Sequence, residues 1–120
     1  MLVDEQIRGG VVQGIGAALF EECAYSDDGQ LQNATLADYL VPMAAEMPDI
    51  HVCHVSTPTT FSELGAKGAG EAGTAGASAA VLNAVNDALR PLGARLAELP
   101  ITPERVLRAL GRVDAWNTEQ

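Results

Sequence analysis

The sequence predicts an α+β fold in which helices pack with a small mixed sheet. Three observations predict it. Apolar residues recur at helical spacing over residues 4–23, at Ile7, Val11, Ile15, Ala18 and Leu19. They do so again over 75–89, at Val81, Val85, Ala88 and Leu89. Between these stretches, residues 50–56 (IHVCHVS) form the best strand candidate in the chain, rich in β-branched side chains. Its two faces are about equally apolar, which suits a strand covered on both sides.

Taken in order, the first helical stretch carries Gly9, Gly10, Gly14 and Gly16. Each glycine inside a helix costs about 0.5–1 kcal/mol relative to alanine. Such a helix needs support, so either a neighbouring element or a ligand lies against its backbone. Gln13 sits beside the glycines and offers an amide that donates and accepts, or simply meets solvent. Residues 26–29 (SDDG) are a turn by residue type, expected to lead into a short strand over 30–34. Thr35 with Asp38 predicts a capped single turn before Tyr39-Leu40-Val41-Pro42. Pro42 and Pro48 bracket an irregular connection. The last helix has its signposts in place: Thr102 as N-cap, Pro103 at the first position, Glu104 in the first turn and Gly111 past the end. Residues 1–111 are expected to form one domain. Residues 112–120, with Trp116 as their one aromatic, are expected to fray.

Composition narrows the partners. Sixteen acidic residues against seven basic ones leave a net charge of −9, which argues against nucleic acid, since phosphate contacts need clustered Lys and Arg. Cys23 and Cys53 are far apart and neither belongs to a Cys-x-x-Cys pair, so no metal site is expected of them. They read as small, buried or partly buried thiols of a reducing compartment. His51 and His54 would point to opposite faces of a strand and could not share a metal. No basic, apolar leader opens the sequence, and no apolar run reaches the roughly 18–20 residues that span a bilayer, so no membrane association is expected and the cytoplasm is the expected compartment.

The chemistry concentrates in residues 64–74, LGAKGAGEAGT. Gly65, Gly68, Gly70 and Gly73 surround one cation, Lys67, and one anion, Glu71, just before the alanine-rich helix. A glycine-rich loop feeding a helix lets a ligand approach the backbone amides closely, and the positive end of the helix suits an anion. The same glycines equally allow tight packing against neighbours. A Walker-type phosphate loop fails because Lys67 is followed by Gly68 rather than Ser or Thr. Gly68, Gly70 and Gly73 complete a formal G-x-G-x-x-G, but no strand leads directly into it and no ribose-binding acid follows. Ser62 and Ser78 have no histidine and acid arranged around them. What remains is Glu71 in the loop and Gln13 in the glycine-rich helix.

Three stretches carry a family resemblance: QIRGGVVQGIGAALFEE (6–22), YLVP (39–42) and PTTFSELGAKGAGEAGTAG (58–76). With the LPITPERV segment (99–106) following in order, the chain resembles the C-terminal part of the molybdopterin-binding large subunit of the xanthine dehydrogenase, aldehyde oxidase and aerobic carbon monoxide dehydrogenase family. The resemblance implies the second, C-terminal molybdopterin-binding domain of such a subunit. It implies hydroxylation of an aldehyde or N-heterocycle carbon, or oxidation of carbon monoxide, at a molybdenum–pterin cofactor in its cytosine dinucleotide form. It further implies that Glu71 is the general base beside the metal and that Gln13, with its neighbour Gly14, binds the pterin. By the same resemblance, Gly68, Ala69 and Gly70 let the main chain approach the metal's ligands, and Lys67 is structural. No residue of this chain is expected to ligate the metal directly.

Most of that family's cofactor contacts lie upstream of anything present here. The expectation is therefore a C-terminal piece that works with the rest of the large subunit or a partner chain, and with iron–sulfur and flavin subunits. The alternative from a different class is a non-catalytic truncated remnant, or a split-subunit piece that folds only in an assembly. Phe61 is a candidate wall for a small-molecule substrate.

Overall fold

The computed structural model describes residues 2–113. Three α-helices order them: α1 (Leu2–Leu19), α2 (Thr74–Leu89) and α3 (Pro103–Ala109). Short 3-10 turns stand at Ala44–Glu46 and Arg90–Leu92. The expected frayed tail lies mostly in 114–120, outside the described residues.

The centre of the architecture is the crossing of α1 on α2. A Cβ built at Gly14 would come within 2.5 Å of the Ala77 Cβ, and one built at Gly10 within 2.9 Å of the Thr74 hydroxyl. From the other side, a Cβ at Gly73 would run into the α1 backbone at Ile7 and Val11. Gly10 and Gly14 are one turn apart, as are Gly73 and Ala77, so each helix presents a strip of small residues to the other. That is why two helices can lie backbone to backbone here. Ser78 adds a bond across the crossing, its hydroxyl donating to the Gly14 carbonyl at 2.8 Å. Of the two supports expected for the glycine-rich helix, a neighbouring element serves Gly10 and Gly14. Gly16 is packed instead against Pro42 and the Glu21 carboxylate. Gly9 meets nothing.

A small core closes the other end. Leu89, Ala94, Leu96 and Ile101 are buried together, with Leu19, Val81, Leu82, Val85, Val106, Ala109 and Leu110 packed around them. Asn86 clamps this corner: its amide donates to the Leu96 carbonyl at 3.0 Å and accepts from the Leu96 N–H at 2.8 Å. The Ile101 N–H donates to the Ala18 carbonyl at 2.6 Å, tying the segment back to α1. In α3 the expected cap is made, the Thr102 hydroxyl accepting from the Arg105 N–H at 3.2 Å. Gly111 follows with φ +64°, as a glycine past a helix end should.

The sheet expected of an α+β fold is absent. Among the described residues there is no strand, only an isolated antiparallel bridge between Tyr25 and Leu31. A strand needs a partner for its backbone groups, and residues 50–56 find none among the described residues. Its one candidate, 30–34, is drawn into a local turn: Ser26 N–H bonds Gln30 O, Gln32 N–H bonds Ala24 O, and Gly29 has φ +81°. Residues 50–56 are held to α1 by side chains instead. Arg8 Nε donates to the Ile50 carbonyl at 3.1 Å, and His54 Nε2 lies 2.6 Å from Asp4 Oδ1. The segment is not covered on both sides, and Val55 is 90% exposed. Cys23 and Cys53 are likewise exposed rather than buried.

The crossing makes a sharp contrast among glycines. Gly14→Ala and Gly73→Ala should each destabilise the fold, by about 1–3 kcal/mol, because the added methyl overpacks a backbone contact. Gly9→Ala should stabilise it by roughly 0.5–1 kcal/mol, since it meets open space and only helix propensity changes. Urea unfolding of the three variants checks this; equal effects at Gly9 and Gly14 would contradict the crossing.

Candidate functional site

The glycine loop reaches its place in two stages. The first is a closed loop over residues 57–67. Thr59 N–H donates to the Gly65 carbonyl at 3.1 Å, and the Ser62 hydroxyl donates to the Ala66 carbonyl at 3.0 Å. Gly65 turns the chain with φ +67°, a conformation that suits glycine, and lies against Pro58. Lys67 shuts the loop, its ammonium donating to the Thr57 hydroxyl at 2.6 Å. This is the structural part expected of Lys67. Beside it opens a cleft of about 430 Å³ lined by Val55, Pro58, Gly65, Lys67, Gly68 and Ala69 among others.

The second stage lays residues 68–73 along α1. Gln6 donates from Nε2 to the Gly70 carbonyl at 3.0 Å, across 64 positions of sequence. Gly73 then enters the helix crossing. The Glu71 carbonyl accepts from the Ala75 N–H at 3.1 Å, so Glu71 stands at the foot of α2. Its side chain is exposed, and no described residue bonds or pairs with its carboxylate.

Gly68 and Gly70 stand apart from the other loop glycines. Neither has positive φ, and a Cβ at either would meet no atom within 4 Å. Neither backbone conformation nor packing within the described chain requires glycine there. Their N–H groups, and that of Ala69, make no hydrogen bond among the described residues. A backbone left bare and unbonded suits close approach by something outside the described chain.

Gln13 lies on α1, exposed and without a hydrogen bond among the described residues. It is seven residues, two turns, beyond Gln6, so both stand on the same side of the helix, roughly 10 Å apart along its axis. Since Gln6 holds the loop, Gln13 is on the loop's side of α1. No bond links Gln13 to Glu71 directly. The expected residues therefore share a side of the molecule without touching. Gln6 was missed, because only the fold brings it to the loop. Gly14, expected beside the pterin, is buried in the helix crossing.

The stretch 39–42 is fixed at the end of α1, where Pro42 lies against Gly16. Tyr39 donates its phenol to Glu21 Oε2 at 2.6 Å, and that bond pushes the Tyr39 pKa up to about 12. Glu22 in turn pairs with Arg105 at 2.8 Å.

Comparison with known proteins now bears on this geometry. Residues 1–48 match the model of a molybdopterin cofactor-binding domain. The chain is 52% identical over 108 residues to the nicotine 6-hydroxylase large subunit of Paenarthrobacter nicotinovorans, covering 90% of this chain and 13% of that protein. It is 33% identical to the carbon monoxide dehydrogenase large chain of Hydrogenophaga pseudoflava, covering 92% and 14%. Among solved structures, quinoline 2-oxidoreductase from Pseudomonas putida 86 superposes with a TM-score of 0.89 at 48% identity, over 92% of this chain and 14% of that one. This chain belongs to the family of molybdopterin-binding large subunits. It spans about one seventh of the length of the curated relatives it matches. The relatives that share this domain are named as oxidoreductase subunits, one of them as a subunit of a dehydrogenase complex. No helix among the described residues is long and apolar enough to cross a membrane.

The contact that holds the approach to the site on α1 is sensitive to acid. The hydrogen bond from His54 holds the Asp4 carboxyl below its ordinary value of 3.8. A depressed carboxyl stabilises the fold above its unfolded pKa, and that contribution is lost as pH falls through the lower folded value. Residues 50–56 should therefore loosen from α1 below about pH 3.8, a change that NMR resonances of His54 would follow, and Asp4→Asn should loosen them already at neutral pH.

Proposed function

We propose that this chain is the part of a molybdenum-cofactor oxidoreductase that supplies the general base, Glu71, for hydroxylation of an N-heterocycle carbon. The observation that carries the reading is the bare loop: Gly68 and Gly70 have no need of glycine within the chain, and an unpaired carboxylate follows at once. Degree of likeness supports that substrate class. Identity is 52% and 48% to proteins named for nicotine and quinoline, both N-heterocycles, against 33% and 30% to carbon monoxide dehydrogenases. Aldehydes are the next class to test, given the 36% identity to an aldehyde oxidoreductase.

The residues present fit a molybdenum–pterin group. Bare amides at Gly68, Ala69 and Gly70 can donate to anionic ligands, and the exposed Gln13 amide can donate and accept at the pterin. The cytosine dinucleotide form is the one this reading assigns. When bound, the group supplies two-electron redox chemistry and the rest is left to the protein. Glu71, exposed and unpaired, is free to take a proton at its carboxylate during the attack on substrate carbon. The loop anchors at Lys67 and Gln6 hold the backbone that carries that carboxylate. Phe61, 98% exposed beside the loop, is free to form one wall of the substrate site.

The chain does this as a piece of a larger assembly. Phe61, Leu64 and Val55 are all at least 90% exposed, and no large side chain among the described residues is fully buried. The radius of gyration is 18.4 Å, against about 14 Å for a compact domain of this length. Apolar area of this extent suits contact with another part of the enzyme. The remainder of a large subunit, or a partner chain carrying it, is that part. Iron–sulfur and flavin subunits then take the electrons away. The same exposed surface favours, as the second reading, a split-subunit piece over a self-sufficient domain.

In the assembled enzyme, Glu71→Gln keeps the size and shape of the side chain but cannot accept the proton. Turnover of an N-heterocycle should fall by about 10²–10⁴-fold while molybdenum content stays near wild type. Near wild-type turnover with normal metal content would remove Glu71 from the role of base.

A further inference from the structure

Among the described residues, the Gln6 side chain is the one part of α1 that hydrogen-bonds directly to the loop segment carrying Glu71. We propose that Gln6 is a positioning residue that sets the direction of the Glu71 side chain. Two peptide planes flank the Glu71 Cα, inside a turn that the Ala72 N–H closes on the Ala69 carbonyl at 3.3 Å; that bond holds the plane after Glu71 but leaves the central Gly70–Glu71 plane free to flip. The plane after Glu71 is held as well by the Ala75 N–H, which binds the Glu71 carbonyl at 3.1 Å as part of the rise into α2. The plane before Glu71 is held by Gln6 Nε2, which binds the Gly70 carbonyl at 3.0 Å. With both planes fixed, the Cα–Cβ direction between them is fixed as well. Without Gln6 the preceding plane hinges at Gly70, the residue type with the widest backbone freedom.

The same bond sets a second direction. The Gly70–Glu71 peptide is trans, so its carbonyl and N–H point opposite ways. With the carbonyl turned toward α1, the Glu71 N–H is turned away from that helix, and it has no acceptor among the described residues. Gln6 thus presents the Glu71 amide donor on the open side of the loop. Packing does not supply this order, because Gly70 has no atom within 4 Å of its Cβ position.

The proposal rests on Glu71 as the base, and its test separates the two. In the ¹⁵N-labelled full chain, wild-type Gly70 and Glu71 amides should have order parameters near about 0.85, as rigid backbone does. Gln6→Met keeps the length and helix propensity of the side chain but removes the donor. It should lower both values below about 0.6 while α2 amides stay unchanged. Gln6→Lys restores a donor and should restore order. In the assembled enzyme Gln6→Met should lower kcat by up to about 10²-fold, the scale of a 1 Å misplacement, with KM and molybdenum content held. Gln6→Lys should recover kcat. Wild-type amides that are already mobile, or a Gln6→Met loop as ordered as wild type, would overturn the proposal. So would a loss of order that spreads through α2. If the loop responds as stated but Glu71→Gln retains turnover, positioning stands and the base assignment falls.

Discussion

Everything in this chain depends on how closely α1 and α2 approach. The approach is set by four small residues, Gly10, Gly14, Gly73 and Ala77, whose missing or minimal side chains bring two backbones into contact. Gly73 is shared between this crossing and the loop that carries Glu71. Moving the helices apart would therefore move the loop. The helix that bears Gln13 and the loop that bears the carboxylate are placed by a single contact, and the Gln6 bond to Gly70 transmits it one step further.

The cost of this arrangement is a weak interior. A crossing of glycines and alanines buries little apolar area, and the larger core of Leu89, Leu96 and Ile101 lies at the far end of α2. The middle of the chain, residues 21–72, hangs on side-chain tethers: Arg8 on Ile50, His54 on Asp4 and Gln6 on Gly70 tie it to α1, and Tyr39 on Glu21 ties it to the residues just past that helix. Those are exposed or half-exposed bonds, individually modest in water. A segment held this way leaves much of its apolar surface open to contact outside, with Val55, Phe61 and Leu64 all exposed. This fits a chain that spans about one seventh of the relatives it matches.

What was legible in the sequence was local. The caps and stops of α3, the apolar stripe of α2 and the turn at Gly29 all depend on near neighbours, and each is where residue type predicted it. The sheet was not there. The β-branched run at 50–56 had the composition of a strand, but composition says nothing of whether a partner is present, and none is among the described residues. The expected burial of Cys23 and Cys53 failed for the same reason, since burial is set by what covers a residue and not by its own type. At the site, the family motif singled out Glu71 and Gln13 but not Gln6. A bond between positions 64 residues apart leaves no periodic trace, and only the fold brings Gln6 to Gly70.

The central claim is that the bare backbone of Gly68–Gly70 and the Glu71 carboxylate face a bound molybdenum–pterin group. A crystal structure of the molybdenum-loaded assembly tests it most directly. The metal should lie next to the Glu71 carboxylate with no protein atom between them, and the Gln13 amide should bond to the pterin. A metal centre seated away from this loop, with Gly68 and Gly70 still bare to solvent, would contradict it.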